Sequence, residues 1–139
     1  MELGRRRAAA PLVEFPMMRA SSDAYRAISS TLSDLQHEEF WVLLINRANQ
    51  IVKKCFISKG GMNSTVVDPK MIFKAVLDHG MGGLVLCHNH PSGTVKPSQQ
   101  DLNLTKRLME CANILDISLL DHMIVRAKTY FSCGAEGLL

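Results

Sequence analysis

Apolar and polar positions alternate in blocks that predict interleaved helices and strands. Tyr25, Ile28, Leu32 and Leu35 recur at helical spacing behind Ser21-Ser22-Asp23, so a helix is expected at about Ser22–Leu35. Phe40–Ile45 is an unbroken apolar run rich in aromatic and branched residues and reads as a buried strand. Asn46-Arg47-Ala48-Asn49 is a turn, and Ile51–Ser58 is the second arm of a hairpin. Lys59-Gly60-Gly61-Met62-Asn63-Ser64 is a loop, either a plain connector or glycine backbone lying close to a ligand. Asp68-Pro69 opens a helix with Met71, Ile72, Ala75 and Val76 inward, and His79-Gly80 closes it. His79 reads as a surface residue favoured by the helix dipole.

The second half continues the alternation. Gly83–Cys87 is a short apolar run, expected as the central strand. Ser98 to about Leu115 is the longest helix, with Leu102, Leu104-Thr105, Leu108, Met109, Ala112 and Leu115 periodic. Ile117–Leu120 and Met123–Arg126 form one strand or two, and Thr129–Cys133 is the last. This mixed order predicts an α/β fold, a mixed sheet flanked by helices. The first twenty residues stand apart as an arm or linker, with a charge cluster at Arg5-Arg6-Arg7, and residues 21–139 form the domain. A twin-arginine signal fits the cluster poorly, because Pro11 and Glu14 break the apolar stretch behind it.

One stretch carries chemistry: His88-Asn89-His90-Pro91-Ser92-Gly93, running on to Ser98 and Asp101. Two histidines two residues apart diverge on a helix but share a face in an extended segment. Pro91 and Ser92-Gly93 then turn the chain, which can bring Asp101 back to the pair. Two imidazoles and a carboxylate are a catalytic zinc set with the fourth position left to water. A second reading makes Ser98 a helix N-cap and Asp101 a first-turn acid. It explains those two residues but not the histidines. Cys87 adjoins His88 but points to the opposite strand face. Asp121-His122 is the other polar pair in an apolar stretch. It either orients a ligand imidazole or is a satisfied polar pair at a strand bend.

Composition narrows the field. The chain has 139 residues, enough for one domain with its own core, and a formal net charge of +3, too mild for a strongly basic nucleic-acid surface. Cys55, Cys87, Cys111 and Cys133 have no CxxC spacing, which fits reduced thiols and a cytoplasmic protein. No apolar run approaches the ~18 residues of a membrane span.

His88-x-His90-Pro91 followed by Ser98-x-x-Asp101 resembles the JAMM motif of JAB/MPN zinc metallohydrolases. The longer string from His88 through Leu104-Thr105 and Leu108 resembles the RadC branch, as do Leu119–Val125 and Glu136–Leu139. The resemblance implies a cytidine-deaminase-like α/β/α sandwich with zinc held by His88, His90 and Asp101. It implies Ser98 as hydrogen-bond donor to an oxyanion and a glutamate at the start of the strand after the first helix as general base. Glu38 and Glu39 both precede that strand. The family places its glutamate two residues before a phenylalanine, which gives Glu38. The activity implied is hydrolysis of an amide bond in a protein or peptide substrate. The alternative is a non-catalytic, DNA-repair-associated or protein-interaction module.

Glu2-Leu3-Gly4-Arg5-Arg6 resembles the joint that follows a helix-hairpin-helix module in longer RadC-like proteins. Without that module, nucleic-acid binding is expected to be weak and non-specific. The motif does not give the physiological substrate, and nothing in the sequence fixes an oligomeric state. A zinc deaminase would need His-x-Glu followed by a later Pro-Cys-x-x-Cys, whereas the motif here reads His88-Asn89-His90 and the chain has no CxxC. An HNH nuclease would spread its named residues along a ββα unit, whereas His88-Asn89-His90 are contiguous.

Overall fold

The computed structural model describes residues 14–60, 67–91 and 93–139. Among these the elements run α1 (Ser21–Leu32), β1 (Glu39–Ile45), β2 (Ile51–Lys59), α2 (Pro69–Asp78), β3 (Gly83–Asn89), α3 (Gln99–Ile114), β4 (Ser118–Arg126) and β5 (Thr129–Ser132). The five strands form one mixed sheet in the order β2-β1-β3-β4-β5. β1 pairs antiparallel with β2 and β3, β3 pairs parallel with β4, and β4 pairs antiparallel with β5. The parallel step is bridged by α3, as a crossover between parallel strands requires. The predicted mixed sheet flanked by helices is the fold observed.

Each face of the sheet has its own core. On one, Phe40, Val42, Leu44, Leu84 and Leu86 pack against Ile72, Phe73 and Val76 of α2 and Leu104, Leu108 and Ala112 of α3. On the other, Leu43, Ile45, Val85, Cys87, Met123 and Val125 pack against Ala24, Ile28 and Leu32 of α1. β3 is buried along its whole length, as expected of a strand covered on both faces. Each leucine or isoleucine removed from water there contributes roughly 1.5–3 kcal/mol.

Several boundaries move. α1 stops at Leu32, not Leu35, and Ser33-Asp34 make a turn. Met71, expected inward on α2, is 53% exposed, and Phe73 takes the buried position. β3 extends through His88 and Asn89. The two apolar stretches near residue 120 are one strand, β4, with Leu120 bulged between the pairs Leu84–Leu119 and Val85–Asp121. Pro16–Met18, placed by the sequence in the arm, lie against the hairpin turn: Met18 N donates to Asn49 O, Ile51 N donates to Pro16 O, and Met18 is buried. Arg5-Arg6-Arg7, Gly61–Ser64 of the expected Lys59–Ser64 loop, and Ser92 lie outside the described residues. Among the described residues no helix is long and apolar enough to cross a membrane.

Candidate metal centre

The site forms where β3 ends. His90 N donates to Val125 O at 3.1 Å, which carries the β3–β4 pairing one residue past the strand and keeps His88 and His90 extended. Their side chains therefore share a face. Pro91 ends the pairing, and Gly93, at φ +85°, turns the chain in a conformation that favours glycine. Arg126 holds that turn by donating to the Gly93 carbonyl. The chain returns as α3, and its first turn brings Asp101 onto the histidines.

Asp101 does two things at once. Its Oδ2 accepts from Ser98 N at 2.8 Å while Asp101 N donates to Ser98 Oγ at 3.0 Å, a reciprocal capping pair. So the helix-start reading of Ser98 and Asp101 is correct as far as it goes. Oδ1, however, is buried without a hydrogen-bond partner among the described residues. It sits 3.5 Å from His88 Nε2, too long for a good hydrogen bond, while Oδ2 is 3.3 Å from His90 Nε2. The two Nε2 atoms are 3.1 Å apart. His88, His90 and Asp101 thus bring one ligand atom each to within 4.8 Å of one another. A buried, unpartnered carboxylate oxygen facing two imidazole nitrogens is what a cation-binding site leaves open. The residues present fit a metal ion.

Each imidazole is anchored through its other nitrogen. His90 Nδ1 donates to Thr94 O at 2.8 Å, and His88 Nδ1 lies 2.8 Å from His122 Nε2. The bulge at Leu120 aims His122 into this place. Leu119 packs with the α2–α3 core, and the extra residue changes the parity, so His122 shares that face while Asp121 looks the other way. His122 Nδ1 in turn meets Thr105 Oγ1 at 2.6 Å. Asp121 is occupied elsewhere: Oδ1 accepts from His122 N and Gly134 N, and Oδ2 from Ser132 Oγ. Gly134 fits because a Cβ there would meet Asp121 Oδ1 at 3.2 Å. The two readings of Asp121-His122 therefore divide between the residues. His122 backs His88 of the candidate set, and Asp121 staples β4 to the turn after β5.

The electrostatics follow the packing. Burial pushes the His88 imidazole down and outweighs the pull of Asp101. His90 is pushed up, chiefly by its contact with Asp101 and least by the charge of Glu38. Burial opposes the charge on Asp101, but His88, His90 and the Ser98 amide together hold it far below the ordinary carboxylate range. Burial and then the neighbouring His88 push His122 well down. Cys87 lies in the α1 core, and burial pushes its thiol up, away from thiolate character.

The two glutamates separate clearly. Phe40 pairs with His88 across β1 and β3, and Glu38 lies just before β1, two residues earlier. Glu38 is half-buried, its carboxylate has no hydrogen-bond partner among the described residues, and its charge acts on both imidazoles. The Glu39 carboxylate instead accepts from Trp41 Nε1 at 2.9 Å and contacts His37 Nε2 at 2.7 Å. Those two contacts, Trp41 first, hold it below its ordinary pKa. Asn89 fixes the backbone on either side of Glu38: its Oδ1 accepts from Glu39 N at 2.8 Å and its Nδ2 donates to His37 O at 2.9 Å. Sequence reasoning assigned no role to Asn89 or Thr105. Thr105 gave one signal, a polar residue four positions after Asp101 on the inward face of α3.

A groove of about 410 Å³ opens beside His90, lined by Leu32–Gln36, Asn89–Pro91 and Val125–Ala127. A larger cavity of about 500 Å³ lies at the other end of β3, around Arg47, Gly83 and Asp116, remote from these histidines.

Comparison with known proteins agrees with this geometry. A protein of Flavobacterium johnsoniae named UPF0758 protein is 42% identical over 99% of this chain and 60% of its own length. One of Porphyromonas gingivalis with the same name is 43% identical over 100% of this chain and 62% of its own. One of Desulforamulus reducens is 40% identical over 100% and 61%. The chain thus spans about three fifths of the length of these relatives. The family profile described as RadC-like JAB domain matches residues 18–138, and the chain belongs to that family.

Proposed function

We propose that this domain is a zinc-dependent hydrolase that cleaves an amide bond in a protein or peptide substrate, as a peptidase or isopeptidase. The observation that carries this is the convergence of His88 Nε2, His90 Nε2 and the orphaned Asp101 carboxylate. Their separations of 3.1–3.5 Å match the ligand–ligand spacing of about 3.3 Å expected when bonds of about 2.0–2.1 Å meet tetrahedrally. Three protein ligands leave a fourth position for substrate chemistry. Zinc held there supplies Lewis acidity toward a substrate carbonyl and toward water.

The chain's own residues do the rest. Glu38, half-buried and unpartnered, takes a proton from the attacking water and delivers it to the leaving amine. Ser98 uses an oxygen lone pair for capping, and its hydroxyl proton is not spent on any partner among the described residues. Being exposed, it can donate that proton to the oxyanion of a tetrahedral intermediate. The groove beside His90 receives one side of the substrate chain.

The test is metal analysis of wild type beside a His88→Ala/His90→Ala variant, followed by a proteome-wide cleavage screen with both. The expected result is one zinc per wild-type chain, none in the variant, and cleavage products only with wild type. Equal zinc in both proteins would refute the site. Zinc without any cleavage would leave a metal-stabilised, non-catalytic interaction module.

A further inference from the structure

A line of hydrogen bonds runs beneath the ligand set and ends in the interior. Thr105 Oγ1 lies 2.7 Å from the Asp101 carbonyl oxygen and 2.6 Å from His122 Nδ1. His122 Nε2 lies 2.8 Å from His88 Nδ1. His88 and His122 have no exposed surface, and Thr105 is 3% exposed, so water does not compete. The proton positions follow from what each group can do. A carbonyl only accepts, and a hydroxyl has one proton, so Thr105 donates to Asp101. Thr105 Oγ1 then accepts from His122 Nδ1–H. The His122 ring is fully buried and meets only a hydroxyl and an imidazole among the described residues, with no carboxylate in contact to balance a second proton, so Nε2 is its acceptor. His88 must carry its own proton on Nδ1 to donate to it. His88 Nε2 is left with a bare lone pair, aimed at His90 and Asp101.

We propose that Thr105 and His122 are positioning residues for the metal centre, locking His88 in the tautomer that presents Nε2 to the ion. The inference rests on the metal reading above. In the other tautomer a proton would occupy Nε2, and His88 could not ligate. The nitrogen of an imidazole that binds metal is set by the bond its other nitrogen makes. Here a second histidine makes that bond, and a helix hydroxyl fixes its orientation. Both nitrogens of His122 are committed, so His122 is not itself a fourth ligand. The device also ties the site to the fold. The same Asp101 that offers a carboxylate oxygen to the metal accepts the Thr105 hydrogen bond on its backbone carbonyl, so α3 sets two ligands together.

The experiment measures zinc affinity of the full chain by competition with a chromophoric chelator, and the His88 tautomer in the metal-free protein by histidine ¹⁵N NMR. His122→Leu fills the space but cannot accept, and zinc is expected to bind about 10- to 100-fold more weakly. Thr105→Val removes only the hydroxyl, and its affinity loss is in the same direction but smaller. His122→Gln offers an amide oxygen to His88 Nδ1–H and recovers part of the affinity. The ¹⁵N spectrum is expected to show His88 protonated on Nδ1 in wild type and a tautomer mixture in His122→Leu. A folded His122→Leu protein with wild-type affinity overturns the inference and leaves the metal reading standing. Should His122→Leu not fold, Thr105→Val decides: unchanged affinity and an unchanged His88 spectrum overturn it. A wild type that binds no zinc overturns the metal reading and this one together.

Discussion

Asp101 and Asp121 are both buried carboxylates, 1% and 4% exposed, one against each face of the sheet. Asp121 has a donor for every demand: two backbone amides on Oδ1 and the Ser132 hydroxyl on Oδ2. Asp101 has one backbone amide on Oδ2, an orphaned Oδ1, and two imidazole nitrogens at distances too long for good hydrogen bonds. The α1 face repeats the satisfied pattern in Asn89, whose amide is used on both sides. Ser58 Oγ, on β2 across from Phe40, is the other buried atom without a partner among the described residues, but it is a neutral hydroxyl. A charged group is far more costly to leave unpaired. Satisfied burial is architecture. A charge less fully satisfied than Asp121, facing two imidazole nitrogens, fits a cation.

The largest effects should separate these two acids. Asp121→Ala leaves His122 N, Gly134 N and Ser132 Oγ without their acceptor. At roughly 1–3 kcal/mol for each stranded buried group, partly relieved by water, the expected loss is roughly 3–5 kcal/mol. Asp101→Ala gives up a capping contact worth roughly 1 kcal/mol, and the Ser98 amide that it frees belongs to an exposed residue where water can replace the acceptor. Urea denaturation of the metal-free proteins is therefore expected to show a large loss for Asp121→Ala and a clearly smaller one for Asp101→Ala. Zinc affinity should show the reverse, with binding abolished in Asp101→Ala. Equal stability losses would mean that Asp101 is as structural as Asp121, and the contrast would fail.

A sharper form of the comparison uses two adjacent residues at the start of β1. The Glu38 charge acts on His88 and His90, whereas Glu39 is engaged by Trp41 and His37. Glu38→Gln is expected to keep zinc and melting temperature while losing hydrolysis by two or more orders of magnitude, in line with the range of about 10²–10⁴ for general acid–base catalysis. Glu39→Gln should cost about 1 kcal/mol of stability and leave turnover near wild type. Kinetics and metal content on both variants check this once a substrate is in hand. Full activity in Glu38→Gln would remove it as the base, and loss in Glu39→Gln instead would move that role by one residue.

Much of this was legible in the chain. Periodicity gave the elements, because α1, α2, α3 and the central strands each bury an apolar face. The spacing of His88 and His90 gave the shared face, and Ser98 to Asp101 gave the capping pair. What could not be read depends on register and tertiary contact. The bulge at Leu120 leaves no mark in a run of apolar residues, yet it sends Asp121 and His122 to opposite faces. Met71 and Phe73 are equally apolar, and only the angle at which α2 packs decides which is buried. Choosing between Glu38 and Glu39 needed family resemblance, since both faces of β1 are apolar. The pairing of Phe40 with His88 gives the same choice a geometric basis. Thr105 looked like one more position on a helix face until His122 was seen beside it.

The smallest expected effect comes from a carboxylate that is satisfied but solvated. Asp23 Oδ2 accepts from Arg19 N at 2.9 Å and Ala20 N at 2.8 Å at the start of α1, and Arg26 contacts its other oxygen. It resembles Asp121 in partners and differs in burial. The Arg19 and Ala20 amides lower its pKa from the ordinary 3.8. A carboxylate whose pKa is lower folded than unfolded stabilises the fold when both states are ionised. That contribution is complete above the unfolded value and is lost as pH falls through the folded one. Asp23→Asn is therefore expected to lower the melting temperature slightly and by a constant amount at neutral and mildly acidic pH. The difference should close as the pH drops below the ordinary value of 3.8. Thermal melts of both proteins across that range measure it. A gap that stays open at the acid end would mean that the Asp23→Asn variant lacks a contact independent of charge. A gap as large as that of Asp121→Ala would mean that burial is not what separates the two aspartates.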